Sequence, residues 1–537
     1  MAVDPLLLAP PGLEPSGKAA PERVAGWRSH AHRAPWATGA GAIVALVLLG
    51  PLAFLIYQAQ QVGWQTLRPL VFRHLTLVLL WHTVELALVV GAACAVLGTA
   101  AAWLVERTEL PGRRVWAVVL VLPLAIPDFI VGYAWNSAAP AVHGFRGAVL
   151  VMTLALYPLV YLPVAAALRR ADPSLEETAR SLGLGPVATF FRVTVRQIRP
   201  AITGGCLVVT LALLAEYGAF EILRFQTFTT EIFAEFNLGF ATSTASALAV
   251  VLVLLSAVVL AGEAGVNRGG RIARSSPQAA RLPGRRHLGR MTIPALLVVA
   301  VVVALGVGMP VGTIIYWMAS SHSTTLPGGS LASALWHTVS YGATAALLAA
   351  AGALPIAIAS VRHRSRLTVV MERSTFFVQA LPGIVIALSL VYFVQRHLQR
   401  FYQHPIVLVV AYAMLFFPLA LVCVRASVAQ APTRLEEAAR ALGRGPLATF
   451  VRVTLPLVAP GLAAGFCLVF LSAGTELTAT LLLVPTGAHT LATQFWAYQT
   501  NTSYGAAAPY AAVIVGVAAV PSILLSRWFD KRPGVAQ

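Results

Sequence analysis

The sequence predicts an all-α polytopic membrane protein with about twelve transmembrane helices in two tandem six-helix halves. Three observations lead to this prediction. Hydrophobic residues make up 58% of the 537 residues and charged residues only 11%, and the mean hydropathy is +0.77. Apolar runs of roughly 20 residues, enough to span about 30 Å of hydrocarbon, recur along the chain. A segment of twenty residues also occurs twice, in the middle of each half.

The apolar runs predict twelve spans, which cover residues 37–58, 78–104, 115–137, 147–168, 200–222, 243–263, 292–318, 333–360, 367–394, 405–425, 459–483 and 508–528. Arginine is concentrated in alternate loops between these runs, as in the cytoplasmic loops of membrane proteins. We therefore expect both termini and both copies of the repeated segment to be cytoplasmic. The net charge of +18 belongs to these loops and does not indicate nucleic-acid binding.

A segment rich in Gly, Arg, Ser and Pro divides the chain into two halves. Six spans precede it and six follow it, so the halves share one orientation and are related by an axis along the membrane normal. The predicted organisation is a cytoplasmic N-terminal tail, a first half, a cytoplasmic linker and a second half, at residues 1–36, 37–263, 264–291 and 292–530.

The repeated segment predicts a short helix, a sharp stop and a second helix on a new axis. LEETARSLGLGPVATFFRVT at 175–194 and LEEAARALGRGPLATFVRVT at 435–454 are identical at fifteen of twenty positions, with an offset of 435 − 175 = 260. Gly183 and Gly443 stand where a left-handed helix stop is expected. The Gly-Pro pair that follows each of them is typical of a helix restart.

The start of the short helix is predicted differently in the two copies. Asp172 before Pro173 is typical of an N-cap residue with proline at the first helical position, whereas Thr433 is predicted to form a capping box with Glu436. In both copies Leu, Ala and Leu at i, i+4 and i+7 predict a narrow apolar stripe, as at 175, 179 and 182.

These segments resemble the cytoplasmic loop of inner-membrane permeases of bacterial ATP-binding-cassette importers. That loop has the pattern Glu-Ala-Ala, three residues, Gly, nine residues, Ile, any residue, Leu-Pro. The second copy follows it with Glu437-Ala438-Ala439, Gly443 and Val453-Thr454-Leu455-Pro456. The first copy has Glu177-Thr178-Ala179 and Gly183, and departs from the pattern at Val195-Arg196, where Leu-Pro is expected.

The resemblance implies a type I importer-like permease in the bacterial inner membrane, between a periplasmic binding protein and a homodimer of cytoplasmic ATP-binding subunits. The loops at about 172–196 and 432–456, called the coupling loops below, would dock on those subunits. An amphipathic helix placed in a groove is a common recognition mode, although a helix lying on the membrane surface is the alternative. The coupling residues are Glu176, Glu177, Ala179, Gly183, Glu436, Glu437, Ala439 and Gly443.

The sequence indicates a transport subunit that is not an enzyme and holds no cofactor. Its two lysines, Lys18 and Lys531, do not lie in a phosphate-binding loop, so ATP hydrolysis is expected on a separate subunit. No catalytic triad and no convincing metal-ligand spacing is visible.

Polar residues within the apolar runs are candidates for the translocation pathway. Glu216 and Glu476 occupy equivalent places in the two halves and would attract a cation, or would serve packing through hydrogen bonds to a neighbouring helix. Pro127 and Pro382 also correspond and are expected to break their spans near the pathway. Asp128 has glycine as its counterpart, which favours a structural role.

Fused double permeases of this size resemble chiefly iron(III) importers, with thiamine importers as close relatives. The stretches AEYGAF at 215–220 and TELTATLLL at 475–483 are similar to the iron(III) type. We therefore expect iron(III), or else thiamine or another small solute, as substrate. A secondary active transporter is the more distant alternative, because it would also have two halves but would lack repeated coupling loops.

Overall fold

The computed structural model describes residues 35–237, 242–269, 285, 287–320, 328–363, 365–379 and 381–530. This described part contains helices and loops and no β-strand, so the predicted all-α class is confirmed. Most of the predicted N-terminal tail and of the predicted linker lies outside the described residues. The proposed boundaries of the two halves therefore stay predictions.

Among its described residues, the first half contains thirteen α-helices, which are α1 (Pro35–Val62), α2 (Trp64–Val71), α3 (His74–Arg107), α4 (Arg113–Val119), α5 (Asp128–Ala138), α6 (Gly144–Leu156), α7 (Pro158–Arg170), α8 (Pro173–Ser181), α9 (Pro186–Thr189), α10 (Val195–Ala215), α11 (Gly218–Ile222), α12 (Phe228–Asn237) and α13 (Thr242–Gly269). A 3₁₀ turn at Leu122–Ala125 and a π-helical turn at Phe190–Thr194 complete the described helical segments of this half.

The second half contains, in its described residues, α14 (Thr292–Val303), α15 (Met309–Ser320), α16 (Gly328–Arg362), α17 (Arg366–Gln379), α18 (Gly383–His397), α19 (Pro405–Leu415), α20 (Phe417–Gln430), α21 (Thr433–Ala441), α22 (Pro446–Thr449), α23 (Leu455–Gly474), α24 (Thr478–Leu483), α25 (Leu491–Thr500) and α26 (Tyr504–Asp530). Its other helical turns are 3₁₀ at Gly289–Met291 and Gln399–Phe401 and π at Ala304–Gly308 and Phe450–Thr454.

Eight helices in the described part are long and apolar enough to cross a membrane, and two bent helix pairs bring the number to ten. Two shorter apolar helices, Gly383–His397 and Tyr504–Ala519, lie in the remaining predicted spans. Every predicted span therefore contains helix. The spans 115–137 and 367–394 are broken at Pro127 and Pro382, as the sequence predicts. The structure also interrupts 405–425, 200–222 and 459–483, where the sequence predicts no break.

Proline causes the sharpest of these breaks. The segments Arg113–Ala125 and Asp128–Ala138 meet at 90°. Ile126, which precedes Pro127, has the extended conformation that a following proline imposes, with φ −104° and ψ 118°. Pro382 likewise stands just before α18, so both prolines interrupt their spans as the sequence predicts.

The internal repeat extends through the helices. From α3 to α13, each helix has its counterpart thirteen helices later, α16 to α26. The offset is 362 − 107 = 255 residues at the ends of α3 and α16, and 436 − 176 = 260 residues in the coupling loops. The second half thus has five additional residues, and they fall in the longer α18 and the connection that follows it.

The two halves interlock through their first helices. Helix α1 packs on α16, α17 and α18 of the second half, where Ala45 and Leu48 are buried in that half's core. Helix α15 packs on α5 of the first half, and Val299 and Val302 of α14 join the core of that half. Each half therefore packs against the first helices of the other half, and both contacts bury apolar surface.

Candidate functional site

The coupling loops have the same backbone in both halves, and glycine produces the stop. Gly183 and Gly443 have φ of +84° and +79°, a left-handed conformation that side chains with a Cβ disfavour. The N–H groups of Leu184 and Arg444 donate to the carbonyls of Ala179 and Ala439, both at 3.1 Å. These bonds, five residues apart, are those of a Schellman motif, so the predicted stop is observed twice.

The predicted start of the short helix is right in the first copy and wrong in the second. Asp172 caps α8, since its carboxylate accepts from the backbone N–H of Ser174 at 2.9 Å. Pro432 is the N-cap of α21, and Thr433 is its first helical residue without a side-chain cap. The predicted capping box does not form, because the Glu436 carboxylate accepts hydrogen bonds from Arg362 and Thr454 instead.

Glu176 points into the protein and fixes the short helix α8 to two other segments. Its Oε1 accepts from the Thr194 hydroxyl at 2.8 Å and lies 3.4 Å from Nη2 of Arg107, the last residue of α3. The Arg107 side chain is only 5% exposed. Glu176 therefore links the short helix both to the end of a span and to the turn that follows it.

Glu436 makes the same contacts in the second half. Its carboxylate accepts from the Thr454 hydroxyl at 2.7 Å and pairs with Arg362, the last residue of α16. Burial raises the pKa of the Glu436 carboxyl, but hydrogen bonds from Arg362 and Thr454, together with nearby positive charge, outweigh burial and hold this pKa below its ordinary value. The resulting stabilisation is present above the unfolded-state pKa and is lost as the pH falls through the lowered one.

The adjacent glutamates, Glu177 and Glu437, are exposed. Apolar side chains of the same loops are exposed as well: Leu182 and Leu442 are 78% and 83% exposed, and Leu175, Val187, Leu435 and Leu447 are also exposed. The sequence predicts one stripe that includes Ala179, but Ala179 and Ala439 are buried against the protein. Each coupling loop thus presents apolar side chains to the outside, an arrangement typical of a docking surface.

A π-helical turn in each coupling loop leads into the following long helix, and no pattern in the sequence predicts it. The turns are Phe190–Thr194 and Phe450–Thr454. Such turns are rare and frequently lie at functional sites. Each ends at the threonine that donates to Glu176 or Glu436, so the turn and the ion pair form one unit.

The sequence predicts Glu216 and Glu476 within membrane-spanning helices. In the structure both residues lie just beyond the ends of α10 and α23. Each carboxylate caps the short helix that follows: Oε1 of Glu216 accepts from Ala219 N–H at 2.7 Å, and Oε1 of Glu476 accepts from Ala479 N–H at 2.9 Å. Each hydrogen bond engages one oxygen of its carboxyl group, as the packing alternative expects. The choice between packing and attraction of a cation stays a prediction.

Both carboxylates line one cavity of about 420 Å³ between the two halves. Asp128 lines it as well, although the sequence favours a structural role for this residue. No side-chain hydrogen bond of Asp128 is found in the described part. The position of Asp128 follows from the break at Pro127, because the bend places the first turn of α5 at the cavity. Pro127 itself also lines the cavity.

The second half contributes different residues to the cavity from those of the first half. Pro382 does not line it, so the structure brings together only three of the four predicted pathway residues. Gly383 takes the place of Asp128, and a Cβ added there would lie 3.2 Å from Oε1 of Glu476. Glycine thus leaves room for the Glu476 carboxylate. No group of three or more His, Cys, Asp or Glu among the described residues is arranged to hold a metal ion.

The sequence is similar to those of known transport proteins. The family model described as the inner membrane component of binding-protein-dependent transport systems matches residues 95–269 and again residues 351–534. The chain belongs to this family. It is therefore a multi-pass inner-membrane permease, and the two matches correspond to the two halves.

Individual relatives extend the comparison. An Fe(3+)-transport system permease of Haemophilus influenzae is 37% identical over 500 residues, which cover 92% of this chain and 99% of that protein. A ferric transport system permease of Actinobacillus pleuropneumoniae is 22% identical over 82% of this chain and 69% of its own length. A sulfate transport system permease of Synechocystis is 31% identical, but over only 33% of this chain and 72% of its own.

Proposed function

We propose that this permease carries iron(III) across the bacterial inner membrane after delivery by a periplasmic binding protein. The observation that supports it most is the similarity, over nearly the whole chain, to a permease named for Fe(3+) transport. Both termini are proposed to be cytoplasmic, which puts the coupling loops on the side where ATP is available. Thiamine or another small solute is the alternative substrate.

The energy would come from a homodimer of cytoplasmic ATP-binding subunits. Two coupling loops with the same backbone and the same exposed leucines suit a partner with two-fold symmetry, because each loop then meets an equivalent groove. The outward-facing Glu177 and Glu437 would form the polar part of this contact. The inward-facing Glu176 and Glu436 would set its orientation.

The cavity between the halves would be the point of passage. Its volume holds on the order of ten water molecules, enough for a small ion with part of its hydration shell. Three carboxylates around it favour cations over anions such as sulfate. Their spacing does not form a metal-ligand set, and loose attraction suits a pathway from which the ion must leave again.

The substrate assignment can be tested by uptake into vesicles that contain this chain, its cognate ATPase and its binding protein. Uptake of radiolabelled iron(III) that requires both ATP and the binding protein is the expected result. Labelled thiamine is tested in parallel, and thiamine uptake without iron uptake would contradict the iron(III) proposal. Iron uptake driven by an ion gradient without ATP would instead indicate a secondary transporter.

Neutralising the cavity should slow transport several-fold without disturbing assembly. We expect Asp128→Asn to reduce the iron(III) uptake rate roughly threefold to tenfold, because the change removes a carboxylate at the cavity without breaking any side-chain hydrogen bond of the described part. Glu216→Gln and Glu476→Gln each keep an oxygen that accepts from the Ala219 or Ala479 N–H group. The double variant should therefore fold normally, and we expect it to slow iron(III) uptake as well.

The exposed Glu177, changed to Gln, provides the contrast for this experiment. It should weaken binding of the ATPase, whereas the three cavity variants should bind the ATPase like the unmodified chain. Unchanged uptake in the triple cavity variant would show that these carboxylates serve packing alone.

A further inference from the structure

A second cavity, of about 590 Å³, lies between α1, α18 and α19, away from the pathway. Fourteen of its fifteen lining residues are apolar, glycine or proline, and the exception is Ser389. We call it the α1 groove. Several of its lining side chains are open to the outside, including Val47 at 50% and Phe393 at 39% exposed. The groove therefore opens on the lateral surface of the protein.

The groove lies within the membrane-spanning part of the molecule. Its α1 wall belongs to the predicted first span, and its α18 wall to one of the shorter apolar helices. The rings of Phe54 and Phe393 meet edge to face at 5.7 Å between centroids and join the two walls. An apolar groove at this depth is matched by a hydrocarbon chain.

One end of the groove is basic. The Arg400 guanidinium lies over the Phe401 ring at 5.0 Å from its centroid, and Phe401 lines the groove. The His397 ring packs against Phe393 at 5.3 Å, and Arg396 lies in the same last turn of α18.

No carboxylate in the described part of the chain lies within 4 Å of Arg396 or Arg400. The α1 wall, Pro35–Val62, contains no Asp or Glu at all. Within the described residues, no carboxylate therefore pairs with the positive charge at this end.

The basic end coincides with the five residues that the second half has in addition. Helix α18 has 15 residues where its counterpart α5 has 11, and the turn Gln399–Phe401 follows it. The corresponding connection of the first half, residues 139–143, contains no arginine. The cationic end is therefore specific to the α1 groove and is not a general feature of the repeat.

We propose that the α1 groove binds one anionic phospholipid, with an acyl chain in the groove and the headgroup phosphate on Arg396 and Arg400. The apolar walls match the chain and the unneutralised arginines match the phosphate, a combination that basic pockets between membrane helices use for anionic lipids. Because α1 packs on the second half, the lipid would lie against the joint between the halves.

The headgroup contact is tested with fluorescent phosphatidylglycerol and phosphatidylcholine added to the purified full chain in neutral detergent. The unmodified protein should retain phosphatidylglycerol preferentially. Arg396→Gln and Arg400→Gln should each weaken its binding about fivefold. Arg224→Gln removes an exposed arginine outside the groove and should leave binding unchanged. Equal retention of the two lipids by the unmodified protein would overturn the proposal.

The acyl-chain contact is tested by filling the groove. A Cβ added at Gly50, which lines it, meets no atom within 4 Å, so Gly50→Leu fills the groove without a backbone clash. Gly39→Leu is the matched control, since Gly39 lies on the same helix, has equally open surroundings and does not line the groove. We expect at least tenfold weaker phosphatidylglycerol binding in the first variant only. Loss in both, or in neither, would contradict a bound chain in this groove.

Discussion

Glu436→Ala is expected to abolish ATP-driven uptake and to lower the thermal stability of the permease, although Glu436 does not face the ATPase. The change leaves the Arg362 guanidinium in a site where its side chain is only 13% exposed. Nε and Nη2 of Arg362 already lack hydrogen-bond partners in the described part. Removing one partner of a buried ion pair costs about 3–5 kcal/mol. Thermal unfolding in detergent and uptake in vesicles measure the two effects.

Glu437→Ala is the matched control for this prediction, one residue away. Its side chain is exposed, so the melting temperature should stay unchanged while binding of the ATPase weakens. The double variant Arg362→Met/Glu436→Leu should recover much of the stability, since replacing both members of a buried pair by apolar residues is often neutral. If Glu436→Ala melted like the unmodified protein, the ion pair could not be what orients the coupling loop.

Gly183→Val combined with Gly443→Val is expected to reduce ATP-driven uptake to less than about a tenth while the protein still inserts in the membrane. A left-handed conformation costs a residue with a Cβ roughly 1–2 kcal/mol, and a β-branched side chain makes it worse. The short helix would end differently, and the exposed leucines of the two loops would no longer lie together. Vesicle uptake and co-purification of the ATPase measure the effect.

Two comparisons separate the backbone from the bulk of the new side chain. Gly185 and Gly445 have ordinary φ of −63° and −62° and open surroundings, so valine there adds the same bulk with much less backbone strain. Asparagine at 183 and 443 is similar in size to valine but tolerates the left-handed region, and should retain more uptake. Equal losses in the valine and asparagine variants would assign the effect to bulk.

Much of the architecture could be read from local patterns. Apolar length fixes where a chain can cross a bilayer, and proline at 127 and 382 fixes where a span must break, because its ring and missing N–H act on its immediate neighbours. The stop at Gly443 is equally local. The capping box at Thr433 failed because a distant residue, Arg362, competes for the Glu436 carboxylate.

The candidate site was predicted incompletely, because contacts between residues distant in sequence also decide which side chains line the cavity. Asp128 joins Glu216 and Glu476 only because the 90° break turns α5 toward the other half. Its counterpart in the repeat is glycine, so the symmetry that identified the two glutamates argued against it. The crossing of α1 onto the second half had no signal in the sequence, since an apolar helix does not specify its neighbour.

The sequence by itself determined that this chain is an all-α membrane protein built from a repeat, with two glycine-stopped loops of a recognisable kind. These features follow from composition, periodicity and backbone preference, which act over a few residues. Only the tertiary structure decided which of two adjacent glutamates holds the loop and which faces outward, and which carboxylates share a cavity. Successive helical residues point about 100° apart, so their roles depend on what packs against each face.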